Sequence, residues 1–391
     1  MTNILENNEI LRLLKQLSMF KQGDYQEPWS IGNEFNMELL CTGDIALANE
    51  NKLSFNWKLP GGVTLSDEVR VLFNWELPIG ESANPIPRSS GPRIIAHPNA
   101  ASVIQKWAPG FAALANNHIL DAGDKGLEKT MSALHQNGFL TVGAGMCSAE
   151  ITRPALWSTS EGRLAIINWV FPETHPEWLA TPGPNCWPGF QEAHRIIQEL
   201  KGQADWVLVI VHWSDEDFSY PRPQDREIAR ELARLGADVI VGHHPHVVRG
   251  MEIFGSCPVF YSLGNYYFPD IPDQHGGWIA KQAPRNRESL GVRLSFRKGR
   301  KPEFQLLSFW QTGDQVILDP GQRAIRRMRS ANRPLQMVSN SDYAEWHVTQ
   351  RARFDRWGYR WHFRLWQYGV RGVIRFALRK LAPRTRTMPG R

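Results

Sequence analysis

Ala237-Asp238-Val239-Ile240-Val241-Gly242-His243-His244-Pro245-His246 is the stretch from which the fold is read. Its β-branched apolar run predicts a buried strand, so the three imidazoles behind it arrive together at a strand end. Open α/β sheets keep their chemistry at such ends. By itself the triplet reads equally as a metal site, a structural cluster or a surface tract. What separates these is whether other strands end the same way.

They do. The run Glu38 to Cys41 predicts a strand ending at Thr42-Gly43-Asp44, and Val69 to Phe73 predicts a second ending at Asn74-Trp75-Glu76. Asn99 to Trp107 reads as a capped helix, and Gly110 to Ala115 as a strand that runs into Asn116-Asn117-His118-Ile119-Leu120-Asp121. Lys125 to Gln136 is helical by its spacing of Leu127, Met131 and Leu134, followed by a strand over Leu140 to Val142. Leu164 to Val170 is a strand, Phe190 to Leu200 a helix, and Trp206 to Val211 a buried strand ending in His212. Pro223 to Leu235 is a helix with proline at its start. Val259 to Leu263, Leu290 to Phe296 and Phe304 to Phe309 are strands without helices between them. Alternating βα units followed by strands alone predict an α/β chain of two packed sheets with outer helices.

Five strand ends therefore present Asp44, Glu76, Asn117-His118, His212 and His244/His246. Each has a bland reading taken singly: the acids as turn or cap residues, His212 as a satisfied core histidine. Recurrence at successive strand ends is what unrelated polar groups would not show. Carboxylate, imidazole and one amide, with no thiolate, suit a borderline divalent ion such as Mn, Fe, Zn or Co.

Composition narrows the class. The chain has 391 residues, 42% hydrophobic and 21% charged, the balance of a globular protein. Its four cysteines, Cys41, Cys147, Cys186 and Cys257, are scattered, which argues against a disulfide scaffold. Residues 1–36 mix charges among short apolar pieces and lack the apolar core of a signal peptide. With no run long enough to span a bilayer, the expected location is cytoplasmic, peripheral at most on the inner face of the cell membrane. The net charge of +6 is divided unevenly: residues 321–391 hold 17 Lys and Arg against 3 Asp and Glu. An N-terminal extension (1–36), a main domain (37–320) and a basic C-terminal region (321–391) are expected on that basis.

Taken in order, Gly43-Asp44, Asn74-x-Glu76, Asn116-Asn117-His118-x-x-Asp121, His212-Trp213, Gly242-His243-His244-Pro245-His246 and Tyr261-Ser262-Leu263-Gly264-Asn265 resemble CapA-like proteins. These are linked to poly-γ-glutamate capsule synthesis and form a branch of the calcineurin-like metallophosphoesterase superfamily. The likeness covers about residues 37 to 310. It implies a four-layer α/β/β/α sandwich with a dinuclear centre at one rim. Carried over by position, Glu76 resembles the bridging carboxylate, Asn117, His212 and His244 the rest of one site, and Asp44 with His246 the other. His118 resembles the superfamily's acid histidine, with Asp121 orienting it.

The superfamily has D-x-H at its first motif, but here Ile45 and Ala46 follow Asp44, and Glu stands at position 76 for the bridging Asp. One firm and one weaker metal are expected from that departure, with His246 carrying the weaker. Asn74, Glu216 and Asn265 are candidate substrate contacts. Glu216 also reads as part of a solvated acidic loop, Ser214-Asp215-Glu216-Asp217, and His243 as no ligand.

The resemblance favours a metal-dependent hydrolase, phosphoester hydrolysis first, serving capsule, poly-γ-glutamate or other envelope polymer synthesis. Two other readings stay open: a non-catalytic accessory protein that holds a polymer or a synthase at the membrane, and a metal-dependent peptide epimerase or amide-processing enzyme. Capsule-synthesis proteins are the implied partners.

In the basic region, Trp366, Val370, Val373, Ile374, Ala377 and Leu381 would share one helix face, with Arg371, Arg375 and Arg379 on another. An anionic membrane, the protein's own body, and an anionic polymer are the three surfaces such a helix fits. Arginine beside aromatics also suits single-stranded nucleic acid. No RNA-binding or helix-turn-helix motif accompanies it.

Overall fold

A computed structural model describes residues 37–48, 69–80, 93–174, 181–272, 277–337 and 339–355. Its architecture follows from strands that alternate two apolar faces. In β1 (Met37–Ile45), Leu39 and Cys41 enter one core while Leu40 enters another. In β2 (Val69–Trp75), Leu72 takes the first side, and Val71, Phe73 and Trp75 the second. Period-two alternation with both faces apolar requires cover on both sides.

The first sheet has eight strands. Its parallel centre is β1, β2, β3 (Gly110–Ala113) and β4 (Phe139–Val142). The second has six strands: β5 (Ala155–Thr159), β6 (Gly162–Val170), β7 (Trp206–His212), β8 (Val239–His243), β9 (Met251–Phe254) and β10 (Cys257–Phe260). The short β11 (Asn265–Tyr267) returns to pair with β1, and β12 (Glu288–Phe296), β13 (Glu303–Thr312) and β14 (Gln315–Leu318) extend the first sheet antiparallel.

Leu208 and Ile210 of β7, with Val239 and Val241 of β8, meet Leu39, Cys41, Leu72 and Phe111 in the core between the sheets. Helix α1 (Gly123–Gln136) covers the outer face of the first sheet through Leu127 and Leu134. Helices α2 (Phe190–Lys201) and α3 (Pro223–Arg234) cover the second through Ala193, Ile197, Ala229 and Leu232. The layers are therefore α/β/β/α, as expected.

Some elements differ in extent from the expected ones. The expected helix over Asn99 to Trp107 is two pieces, Ala100–Val103 and a tighter turn over Gln105–Trp107. The strand expected over Val259 to Leu263 is Cys257–Phe260, because the chain then leaves the sheet to bond Gly250 and Gly242 singly.

Packing also continues beyond Asp319. Helix α4 (Arg323–Leu335) buries Ala324, Ile325 and Met328 in the inter-sheet core, and α5 (Asn340–Arg353) buries Tyr343 on the outer face of the second sheet. The amphipathic helix expected around Trp366 lies outside the described residues. Among those described, no helix is long and apolar enough to cross a membrane.

One irregularity positions the site. Strict alternation along β1 would turn Asp44 outward with Leu40, yet the pairing with β2 slips between Cys41 and Asp44, and Ile45 is the outward residue. The slip acts as a β-bulge does and re-aims a side chain. It aims Asp44 between the sheets. Gly43 makes this possible, since a Cβ there would stand 2.0 Å from the Gly264 carbonyl oxygen, which accepts from the Asp44 amide at 2.9 Å. Gly43→Ala should therefore lower the free energy of urea unfolding by about 2 kcal/mol; an unchanged denaturation midpoint would show that β1 and β11 can part there.

Candidate metal centre

Strand register assembles the rim. Asp44 is paired with Asn74 on one side and Asn265 on the other, so three polar residues line the end of the first sheet. In the second sheet His243 is the register partner of His212. Counting by twos from Leu72 places Asn74 and Glu76 inward, and from Val239 and Val241 it places His243 inward. The two rows meet across the sandwich.

Asp44 is the meeting point. It is fully buried, and its Oδ1 accepts from Asn74 Nδ2 at 2.8 Å and lies 3.0 Å from His243 Nδ1. Its Oδ2 is 3.2 Å from His246 Nδ1. Burial opposes the Asp44 charge, but the hydrogen bonds from His243 and His246 outweigh it and hold the carboxyl well below the usual carboxylate range. Asn74 also donates to Glu76, which is likewise buried. Burial, with the charge of Asp44 beside it, pushes Glu76 up to about 8.

The imidazoles divide into two kinds. His212 and His244 are held well below the ordinary histidine value, first by burial, with neighbouring imidazoles adding to it and the charge of Asp44 opposing it. Neutral imidazole is the form that binds metal. His244 Nδ1 is buried and makes no hydrogen bond among the described residues. His246 is also opposed by burial, yet the hydrogen bond to Asp44 and the charge of Glu76 raise it to about 10.

Two groups of donor atoms could each hold an ion, the atoms in each lying within 4.8 Å of one another: Asp44, Glu76 and His212, and Glu216, His244 and His246. The first group is wholly buried, whereas Glu216 of the second is exposed. The resemblance sorted Asp44 with His246; here Asp44 is grouped with Glu76 and His212 and also touches His246. Glu216, read earlier as a substrate contact, stands beside His244 and His246. Asn117 Oδ1 is 3.0 Å from His212 Nε2, and Asn265 Oδ1 is 2.9 Å from His246 Nδ1. His118 Nδ1 lies 2.6 Å from Asp121 Oδ2, both side chains nearly buried.

Backbone strain is concentrated here. Among the described residues, five other than glycine have left-handed φ, and four are Ser214, Asp217, His244 and His246. Such conformations persist where surrounding contacts over-determine them, often at functional sites.

Three residues support the site in ways that were not read from sequence. His243 was set aside as no ligand, although the period of β8 would have aimed it at Asp44. Asn168, inward on β6, accepts from the Ala115 amide at 2.7 Å and so fixes the loop that carries Asn117 and His118. Arg249, fully buried, holds the loop that carries Glu216.

A family model described as "Bacterial capsule synthesis protein PGA_cap" matches residues 39–270. The PGA biosynthesis protein CapA of Bacillus subtilis is 32% identical over 195 residues, 49% of this chain and 48% of that protein. A probable polyglutamine synthesis accessory protein of Mycobacterium tuberculosis is 28% identical over 291 residues, 71% of this chain and 68% of that one. The chain spans about half the length of the first relatives it matches. Among solved structures, Haemophilus influenzae NAD nucleotidase aligns at 14% identity with a TM-score of 0.40, over 82% of this chain and 60% of that one.

The raised values of Glu76 and His246 mean that protons and a cation compete for the same atoms. Mn(II) affinity, followed by competition with a chelating dye, should climb from about pH 6 to about pH 9 as the Glu76 proton is given up and the binding ion displaces that of His246. An affinity that is flat or falls over that range would remove Glu76 and His246 from the ligand set.

Proposed function

We propose, since the chain belongs to the bacterial capsule synthesis protein family PGA_cap, that its rim is a divalent-metal centre that hydrolyses a phosphoester during capsule or other envelope polymer synthesis. The observation that supports this most is the convergence of six donor residues, carried by the ends of four strands and the loops that follow them, into two adjoining groups. The donor set fits such an ion: carboxylates and neutral imidazoles without thiolate, and a buried His244 Nδ1 without a hydrogen bond among the described residues. Asp44, Glu76 and His212 would hold the firmer ion. His244, His246 and the exposed Glu216 would hold the weaker.

A cation bound there supplies Lewis acidity toward a phosphoryl oxygen. The chain's own groups do the rest. Asp121, which also accepts from the Ile94 amide at 2.9 Å, keeps the Nδ1 proton of His118 and fixes the ring. His118 Nε2 is thereby left to deliver a proton to the leaving-group oxygen, and the neighbouring carboxylate stabilises the imidazolium that gives it. Asn117 holds His212 in orientation from the same loop. Asn74 and Asn265 brace Asp44 and His246, which supports a positioning role for both beside any contact with substrate.

The basic residues beyond Asp355 are assigned to an anionic surface, on the strength of their charge. Deleting residues 356–391 should abolish pelleting with phosphatidylglycerol vesicles and leave the neutral-vesicle baseline unchanged. Equal binding to both vesicle types before the deletion would reject that assignment.

Turnover of p-nitrophenyl phosphate or a bis(p-nitrophenyl) phosphodiester is the test of the chemistry. His118→Asn should lower kcat by about a hundredfold with metal content retained, whereas Glu76→Ala should lose metal and turnover together. A metal-loaded wild type inert toward both ester classes would reject the hydrolase reading.

A further inference from the structure

Glu216 is the exposed member of the weaker group, and it is carried by a loop outside the sheets, whose Asp217 amide donates to the Pro245 carbonyl at 2.8 Å. That loop is fastened from both sides. From within, the buried Arg249 donates Nη2 to the Asp215 carbonyl at 2.7 Å, Nε to the Phe218 carbonyl at 2.8 Å and Nη1 to Ser214 Oγ at 2.5 Å. Ser214 and Asp217, on either side of Glu216, hold left-handed φ values of 74° and 61°. From outside, α5 lies against it. The Arg351 guanidinium is 2.8 Å from the Asp215 carboxylate, the His347 and Phe354 rings each pack edge-on to Phe218, and Tyr343 Oη donates to the Pro221 carbonyl at 2.6 Å.

A helix that served only the core would bury a continuous face. Among the described residues of α5 just two are buried, Tyr343 and His347, and Val348 is largely exposed. Tyr343 packs on Arg226 of α3, and its hydroxyl, like the other contacts above, reaches the Glu216 loop. We propose that α5 is a positioning element of the site: through Arg351 on Asp215 and the rings on Phe218 it fixes the backbone that places Glu216 beside His244 and His246.

This rests on the cation reading of the rim, and the two can fail separately. Mn(II) binding to the full chain is followed by calorimetry for the wild type, Arg351→Asp, Asp215→Arg, the double charge swap and Arg351→Lys. Arg351→Asp should weaken the weaker class of site by about tenfold, the scale on which residues behind the ligands affect metal affinity, while the firmer class and the melting temperature hold. The double swap and Arg351→Lys should restore wild-type binding. A wild type with two classes and an Arg351→Asp variant that matches it overturns the inference alone. So does a variant in which both classes and the melting temperature fall together, because that marks a merely structural role. A wild type that takes up no Mn(II) overturns the cation reading and this inference with it.

Discussion

A fully buried carboxylate between two sheets is the constraint on which the rest of the rim depends. Leaving Asp44 uncompensated there would cost several kcal/mol. Asn74, His243 and His246 surround it, and two of these come from the opposite sheet or the turn behind it. The compensation therefore also ties the two sheets together at the end where their strands stop. Residues that neutralise Asp44 are, for the same reason, brought within reach of anything bound beside it.

Local geometry makes the arrangement specific. The slip in β1 turns Asp44 inward, Gly43 lets β11 come close enough to pair, and the left-handed turns at His244 and His246 set both rings beside Glu216, with His246 also reaching Asp44. A site made this way gains rigidity from strands and strain from turns. The buried group, Asp44 with Glu76 and His212, belongs to the rigid part. The group that includes Glu216 depends on a loop, and that loop depends on Arg249 and α5.

Much of this could be read from the chain, and the reasons differ by element. Apolar runs ending in acids or imidazoles announced the strands and the rim, because burial on both faces needs continuous hydrophobicity. Asn117, His118 and His212 followed from the same logic, whereas Asp121 came from the likeness to CapA-like proteins. The slip at Cys41 to Asp44 was hidden, since an extra residue in a strand leaves no mark on composition. His243 was read as no ligand, and neither donor group includes it; its place beside Asp44 was legible, since alternation from Val239 and Val241 aims it inward. Glu216 looked like one of several acids in a solvated loop because the contacts that place it come from distant Arg249 and Arg351. Helix α4 escaped notice because arginines dominate its sequence, although Ala324, Ile325 and Met328 mark an apolar stripe.

Titrating the purified, chelator-treated protein with Mn(II) and following the electron paramagnetic resonance spectrum tests the central claim most directly. The account predicts that the first equivalent loses the free-ion signal and that the second produces the broadened spectrum of two ions in magnetic contact. Growth of the free-ion signal from the first addition would contradict it.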